Sequence, residues 1–240
     1  MVHPITNTVT MTLDISDQNL FKLIIGKREE LIAFPENARP KKFSLVGITS
    51  LNCSLNQLTS LPLLPEELKT LICFRNRLTS LPILPEGLEI LSCSNNNLTT
   101  LPALPEGLKI LRCSSNKLTS LPSLPKRLEY LNCFNNQLIN LPLLSEGLKK
   151  LHCSDNQLVS LPLLSKELEM LCCSGNPLKY VPFLKTIPFY LLVPKHLETC
   201  HSKENYQEGY RFQELNRYLF LTFFTELGLQ LDFCYDSFPR

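Results

Sequence analysis

Cysteine is the residue whose spacing in this chain most invites a chemical reading. Ten are present among 240 residues. Seven of them recur in steps of twenty: Cys53, Cys73, Cys93, Cys113, Cys133, Cys153 and Cys173. Cysteines so placed could bind metal or pair covalently, because neighbouring parallel strands bring Cα atoms within disulfide range. The odd number, the even spacing and the leucine-rich surroundings point instead to packing. Zinc modules use close C-x-x-C pairs, whereas a buried thiol behaves as a small apolar side chain. His196, Cys200, His201 and Cys234 are a second conceivable zinc set, but their separations match no familiar module. No Gly-rich phosphate loop, Ser/His/Asp constellation or paired-carboxylate pattern stands out, and the lone Asp155 is no calcium site. The expectation is a chain with no catalytic residues, no metal, no cofactor and no small-molecule substrate.

The cysteines are one row of a larger pattern, and that pattern names the elements that hold them. Leu51, Leu71, Leu91, Leu111, Leu131, Leu151 and Leu171 step in the same way, as do Asn56 to Asn176, Leu58 to Leu178 and Pro62 to Pro182. The rule is L-x-x-L-x-C-x-x-N-x-L-x-x-L-P-x-L-P-x-x, without insertion or deletion. Strict self-similarity at this period is the signature of a stacked array. Leu51 and Cys53 alternate with Asn52, as a short strand with one buried face requires. Equivalent strands should stack in parallel, with each Asn bonding backbone groups where the chain leaves the strand. On the return side each proline fixes its own φ and biases the preceding residue toward an extended form, so helix is excluded there. Pro-Glu-Gly, at Pro85–Gly87 and Pro105–Gly107, reads as the corner into the next strand. Glu67, Arg127 and Glu167 at the same position argue against a corner that only glycine could make. A single turn cannot bury its apolar face alone, so stability must come from stacking.

Such a stack needs its ends covered. Residues 1–47 are expected to form an N-terminal cap, a strand or hairpin with a short helix: Thr8 to Asp14 alternates polar and apolar, and Phe21 to Ile25 is apolar. The repeats occupy 48–185, and residues 186–240 form a C-terminal cap. Tyr210, Leu215, Leu219, Phe223 and Leu227, with Gly228 as a stop, predict a helix over about 204–228.

Two sets of rows lie outside the core. Lys69, Glu89, Lys109, Glu129, Lys149 and Glu169 alternate in sign, so stacking would set opposite charges side by side and support the register. The rows flanking the inner Leu and Cys face outward on the predicted concave side. There Ile72, Ile90 and Ile110 with Phe74, Tyr130 and Phe134 make an apolar strip, and Arg75, Arg77 and Arg112 sit beside it. Aromatic and arginine anchors on apolar surface are what protein interfaces favour. These nine residues are the candidate partner-binding site.

The repeat resembles leucine-rich repeats, specifically the short twenty-residue Leu-Pro-x-Leu-Pro subclass known from secreted bacterial effectors. Its Cys-bearing form looks most like leucine-rich repeat proteins of giant DNA viruses such as Mimivirus. The resemblance covers residues 48 to 185. It implies a leucine-rich repeat solenoid with a parallel sheet on the concave side, protein–protein recognition and no catalytic residues within the repeats. Bacterial relatives often carry a ubiquitin-ligase domain with a Cys-x-Asp nucleophile. Cys234-Tyr235-Asp236 matches that tripeptide, but too few residues follow the repeats to build such a domain. A substrate-selecting arm of a ubiquitin-ligase assembly and a structural component of a virus particle are the alternatives to a host- or virus-protein binder.

Composition narrows the partner further. A net charge of +2 and pI of about 8.0 are too near neutral to imply nucleic acid or an anionic membrane. The opening residues do not read as a signal peptide, and Leu219 to Phe224 is too short to span a bilayer. The expectation is a cytoplasmic protein with its cysteines reduced.

Overall fold

The computed structural model describes residues 11–25, 30–36, 39–179 and 191–192. All belong to the first of two compact units, Met1–Pro194; the second is Lys195–Arg240. Strands β1 (Met11–Asp14), β5 (Ile48–Asn52), β6 (Thr70–Ile72), β7 (Ile90–Ser92), β8 (Ile110–Arg112), β9 (Tyr130–Asn132), β10 (Lys150–His152), β11 (Met170–Cys172) and β12 (Leu191–Leu192) form one nine-stranded sheet in that order. Every pairing is parallel, and the register equates Leu51, Leu71, Leu91, Leu111, Leu131, Leu151, Leu171 and Leu191. The backbone ladder runs past the three-residue strands on both sides. Glu89 N–H donates to Lys69 O (2.8 Å) before the strand, and Cys93 N–H to Arg112 O (2.8 Å) after it.

The interior is the expected one. Leu51 to Leu171 of the strand row, Leu58 to Leu178 seven residues later, and Leu68 to Leu168 are at most 2% exposed; all seven cysteines of the stepping are fully buried. Return segments contain neither helix nor strand. The corners close as turns in which Leu88 N–H donates to Pro85 O (3.0 Å) and Leu108 N–H to Pro105 O (3.0 Å). Where serine replaces that proline, the same backbone bond persists (Leu148 N–H to Ser145 O, 3.1 Å) and the hydroxyl adds two more. Ser145 Oγ donates to Lys126 O (2.6 Å) and accepts from Gly147 N–H (3.2 Å).

Each asparagine ties two turns together. Asn96 Oδ1 accepts from Leu78 N–H (3.0 Å), and its Nδ2 donates to Cys73 O (3.0 Å), Cys93 O (3.0 Å) and Ser94 O (3.2 Å). Asn76, Asn116, Asn136, Asn156 and Asn176 repeat this arrangement. The residue before each asparagine has a positive φ: Leu55, Arg75, Asn95, Ser115, Asn135 and Asp155 lie between 51° and 57°, and Gly175 is at 64°. The left-handed turn is therefore here and not at Pro-Glu-Gly, whose glycines have no positive φ. At Gly175 a Cβ would stand 1.9 Å from Asp155 Oδ1, so a side chain there would require the Asp155 carboxylate to move.

Within 1–47 the described residues contain strands, as expected, but no helix beside them. β2 (Leu20–Ile25), β3 (Glu30–Pro35) and β4 (Lys41–Ser44) make an antiparallel meander. Leu31 and Ala33 of β3 are buried in alternation, the period of a half-covered sheet and not of a helix. β1 belongs to the large sheet. Leu13 pairs with Leu51, Ile15 N–H donates to Asn52 O (2.8 Å), and Asp17 has φ 50°, so residues 13–20 trace a turn of the array. Asn56 caps it by accepting from Gln18 N–H (3.1 Å) and Leu20 N–H (2.9 Å). The helix expected over 204–228 lies outside the described residues.

A candidate protein-binding face on the sheet

Stacking turns the sequence rows into a surface. Because Leu and Cys of each strand point inward, their neighbours point outward. Thr70, Ile90, Ile110 and Tyr130 are consecutive partners across four strands, and Ile72, Ser92, Arg112 and Asn132 are consecutive partners beside them. Phe74 and Phe134 follow the strands in the third outward row. Ile72, Phe74, Ile90, Ile110, Arg112, Tyr130 and Phe134 are all half-buried, so each contributes apolar area that a partner could still cover. Arg75 and Arg77 stand in the turn that follows, Arg75 at a φ of 52° and half-buried, Arg77 exposed.

The strip has an arginine at its centre. The Arg112 guanidinium lies over the Tyr130 ring, 5.0 Å from its centroid, a contact favoured by the ring quadrupole. Arg112 Nε is buried with no hydrogen-bond partner among the described residues, which leaves a donor unsatisfied at a cost. Burial raises the Tyr130 hydroxyl pKa, against the opposing effect of the Arg112 charge.

Toward the C-terminal strands the same face closes. Met170, His152 and Cys172 occupy outward rows yet are 8%, 7% and 0% exposed. The His152 ring sits 5.0 Å from that of Phe134, and burial pushes its pKa down to about 4. The row arithmetic that found Tyr130 also places them on this face, but spacing alone does not report burial. No group of histidine, cysteine or acidic side chains among the described residues could hold a metal ion. The described cysteines are all free thiols; burial pushes Cys53, Cys93, Cys133 and Cys173 up to about 12, so they carry no nucleophilic thiolate at neutral pH. His196, Cys200, His201 and Cys234 lie outside the described residues, as does Cys234-Tyr235-Asp236. No helix among the described residues is long and apolar enough to cross a membrane.

The leucine-rich repeat domain of a Shigella effector is 33% identical to this chain, covering 70% of each, with a TM-score of 0.55. The chain belongs to the leucine-rich repeat family. YopM, a leucine-rich effector protein from Yersinia pestis, is 37% identical over 61% of this chain and 46% of its own, with a TM-score of 0.57. This leucine-rich repeat chain thus spans less than half the length of that Yersinia protein. No family model and no curated protein matches the sequence.

Proposed function

We propose that this leucine-rich repeat array is a non-catalytic scaffold that recognises another protein through the outer face of its sheet. Ile72, Phe74, Ile90, Ile110, Tyr130 and Phe134 form the apolar contact, and Arg112 is the polar anchor, with Arg75 and Arg77 at its margin. The observation that carries this reading is the half-covered apolar strip across neighbouring strands, with the Arg112 guanidinium stacked on the Tyr130 ring within it. A carbonyl or carboxylate of a bound protein would pair with the Arg112 guanidinium while the aromatics bury area, the combination that concentrates binding energy at interfaces. The unbroken twenty-residue period and the effector relatives support assignment to the short Leu-Pro-x-Leu-Pro subclass, and the Cys-bearing repeat supports a giant-virus setting with a host or viral protein as partner. The free thiols suit a reducing compartment such as the cytoplasm.

The test is affinity capture from the producing cell with the full chain, alongside a Phe74→Ser, Tyr130→Ser, Phe134→Ser triple variant and an Arg112→Ala variant. Both variants are expected to lose the captured protein while keeping the native thermal midpoint to within a few degrees. Undiminished capture by the triple variant removes this face as the site.

A further inference from the structure

On the return side of the turns, away from the sheet, a column of large apolar side chains stands in solvent. It is formed by the middle residue of each Leu-Pro-x-Leu-Pro. Leu63 is 73% exposed, Ile83 82%, Leu143 83% and Leu163 88%, and the two central turns place Ala103 and Ser123 there, also exposed. Single exposed leucines are ordinary, but four large apolar side chains in two adjacent pairs along one line mark an interaction surface. The core does not need this column: Leu61 and Leu64 on either side of it supply the buried or half-buried contacts. Read along the stack, the column is large, large, small, small, large, large, and it reads the same backwards.

We propose that this column is a homodimer interface, crossed by a second copy of the chain running antiparallel to the first. A twofold axis perpendicular to the stacking direction lays each row against itself reversed, the self-complementary condition of an isologous contact. Leu63 then meets the partner's Leu163, Ile83 meets the partner's Leu143, and the small residues face each other at the centre, where the backbones approach. The exposed charged row three residues on reads Glu66, Glu86, Glu106, Lys126, Glu146, Lys166. The same operation sets Glu66 against the partner's Lys166 and Glu106 against the partner's Lys126, while Glu86 meets the partner's Glu146. Opposite charges outnumber like ones two to one, and both lysines stand where a glutamate opposes them. Six turns at about 4.8 Å make a column only about 24 Å long. That is short for an interface of the usual ~800 Å² per partner, so the dimer is weak and concentration-dependent.

Sedimentation of the full chain over a concentration series tests this. The native chain should pass from 27.4 kDa to twice that mass. Ile83→Glu and Leu143→Lys should each raise the dissociation constant by roughly a hundredfold or more, since symmetry removes the contact twice. An equimolar mixture of the two variants should dimerise again, because Glu at 83 then faces Lys at 143 while the other contact stays native. Unchanged thermal midpoints show that both fold. The Phe74, Tyr130, Phe134 triple variant should dimerise like the native chain, which separates this interface from the sheet face. A native chain that stays monomeric throughout, a dimer that survives both variants, or variants that remain monomeric when mixed would each overturn the proposal.

Discussion

Replacing Asn96 with alanine isolates what the asparagine column contributes. Four hydrogen bonds disappear, but they are not equivalent. Cys73 O loses Asn96 Nδ2 yet keeps Asn76 Nδ2 (3.2 Å), and Cys93 O keeps Asn116 Nδ2 (3.1 Å). These carbonyls are served from two turns and tolerate the loss of one donor. Leu78 N–H has Asn96 Oδ1 as its acceptor at 3.0 Å, and the site is buried. An orphaned buried amide costs about 1–3 kcal/mol, and the weakened carbonyl contacts add about 1 kcal/mol. The expected destabilisation of Asn96→Ala is therefore about 2–4 kcal/mol. Asn56→Ala should cost more, because Asn56 Oδ1 accepts from two amides, Gln18 N–H and Leu20 N–H. Urea unfolding gives the energies, and amide hydrogen exchange gives the location: Leu78 should lose protection while Leu118, capped by Asn136, keeps it. A loss under about 0.5 kcal/mol with Leu78 still protected would show that the amide is satisfied in some other way and refute the reasoning.

Three further outcomes follow from the same structure. His152 is neutral in the fold with its pKa near 4, below the ordinary value of about 6.5. The unfolded chain therefore takes up a proton first, and stability contributed by this site falls as pH drops from about 6.5 to 4, by on the order of 3 kcal/mol in total. His152→Asn should remove that component from the difference between the two urea-derived pH profiles; parallel profiles would deny it. Ser115 holds a φ of 51°, a conformation asparagine tolerates better, so Ser115→Asn should stabilise by about 0.5–1 kcal/mol, and a lowered midpoint would contradict this. The seven column thiols should resist a disulfide exchange reagent in the native chain and react together on unfolding; prompt labelling of Cys93 or Cys113 under native conditions would place them in water.

Much of this fold could be read from the twenty-residue stepping because one register serves every strand. Once Leu51 pairs with Leu71, the inward and outward rows are determined, and so is the assembly of Ile72, Ile90, Ile110, Arg112 and Tyr130 on one face. The alternating charges meet at two of the five steps, Lys109 with Glu89 at 2.6 Å and Lys149 with Glu129 at 2.9 Å. What escaped were features without a constant residue. The left-handed position is Leu, Arg, Asn, Ser, Asn, Asp and Gly in turn, since the hydrogen bonds on either side enforce it whatever the side chain. The turn over residues 13–20 is offset by 38 residues from Leu51, off the period, and carries Ile15 where the repeats have Cys. Leu191 lies in step with Leu171, yet the loss of the Leu-Pro pattern around Pro188 hides it. The burial of His152 and Cys172 depends on surroundings that spacing does not specify.

Each asparagine reaches only into the turn before its own, so the bonding demand of any coil is met by its immediate neighbour and nothing farther away. Splicing in or deleting one whole twenty-residue unit leaves every seam with matched donors and acceptors, whereas a shift inside the strand and the turn that follows it misaligns the seam on each side. Gene duplication and unequal recombination can therefore lengthen or shorten such a chain freely in whole coils. The reach of its recognition surface is then a quantity that evolution can adjust by counting, without redesigning the interior.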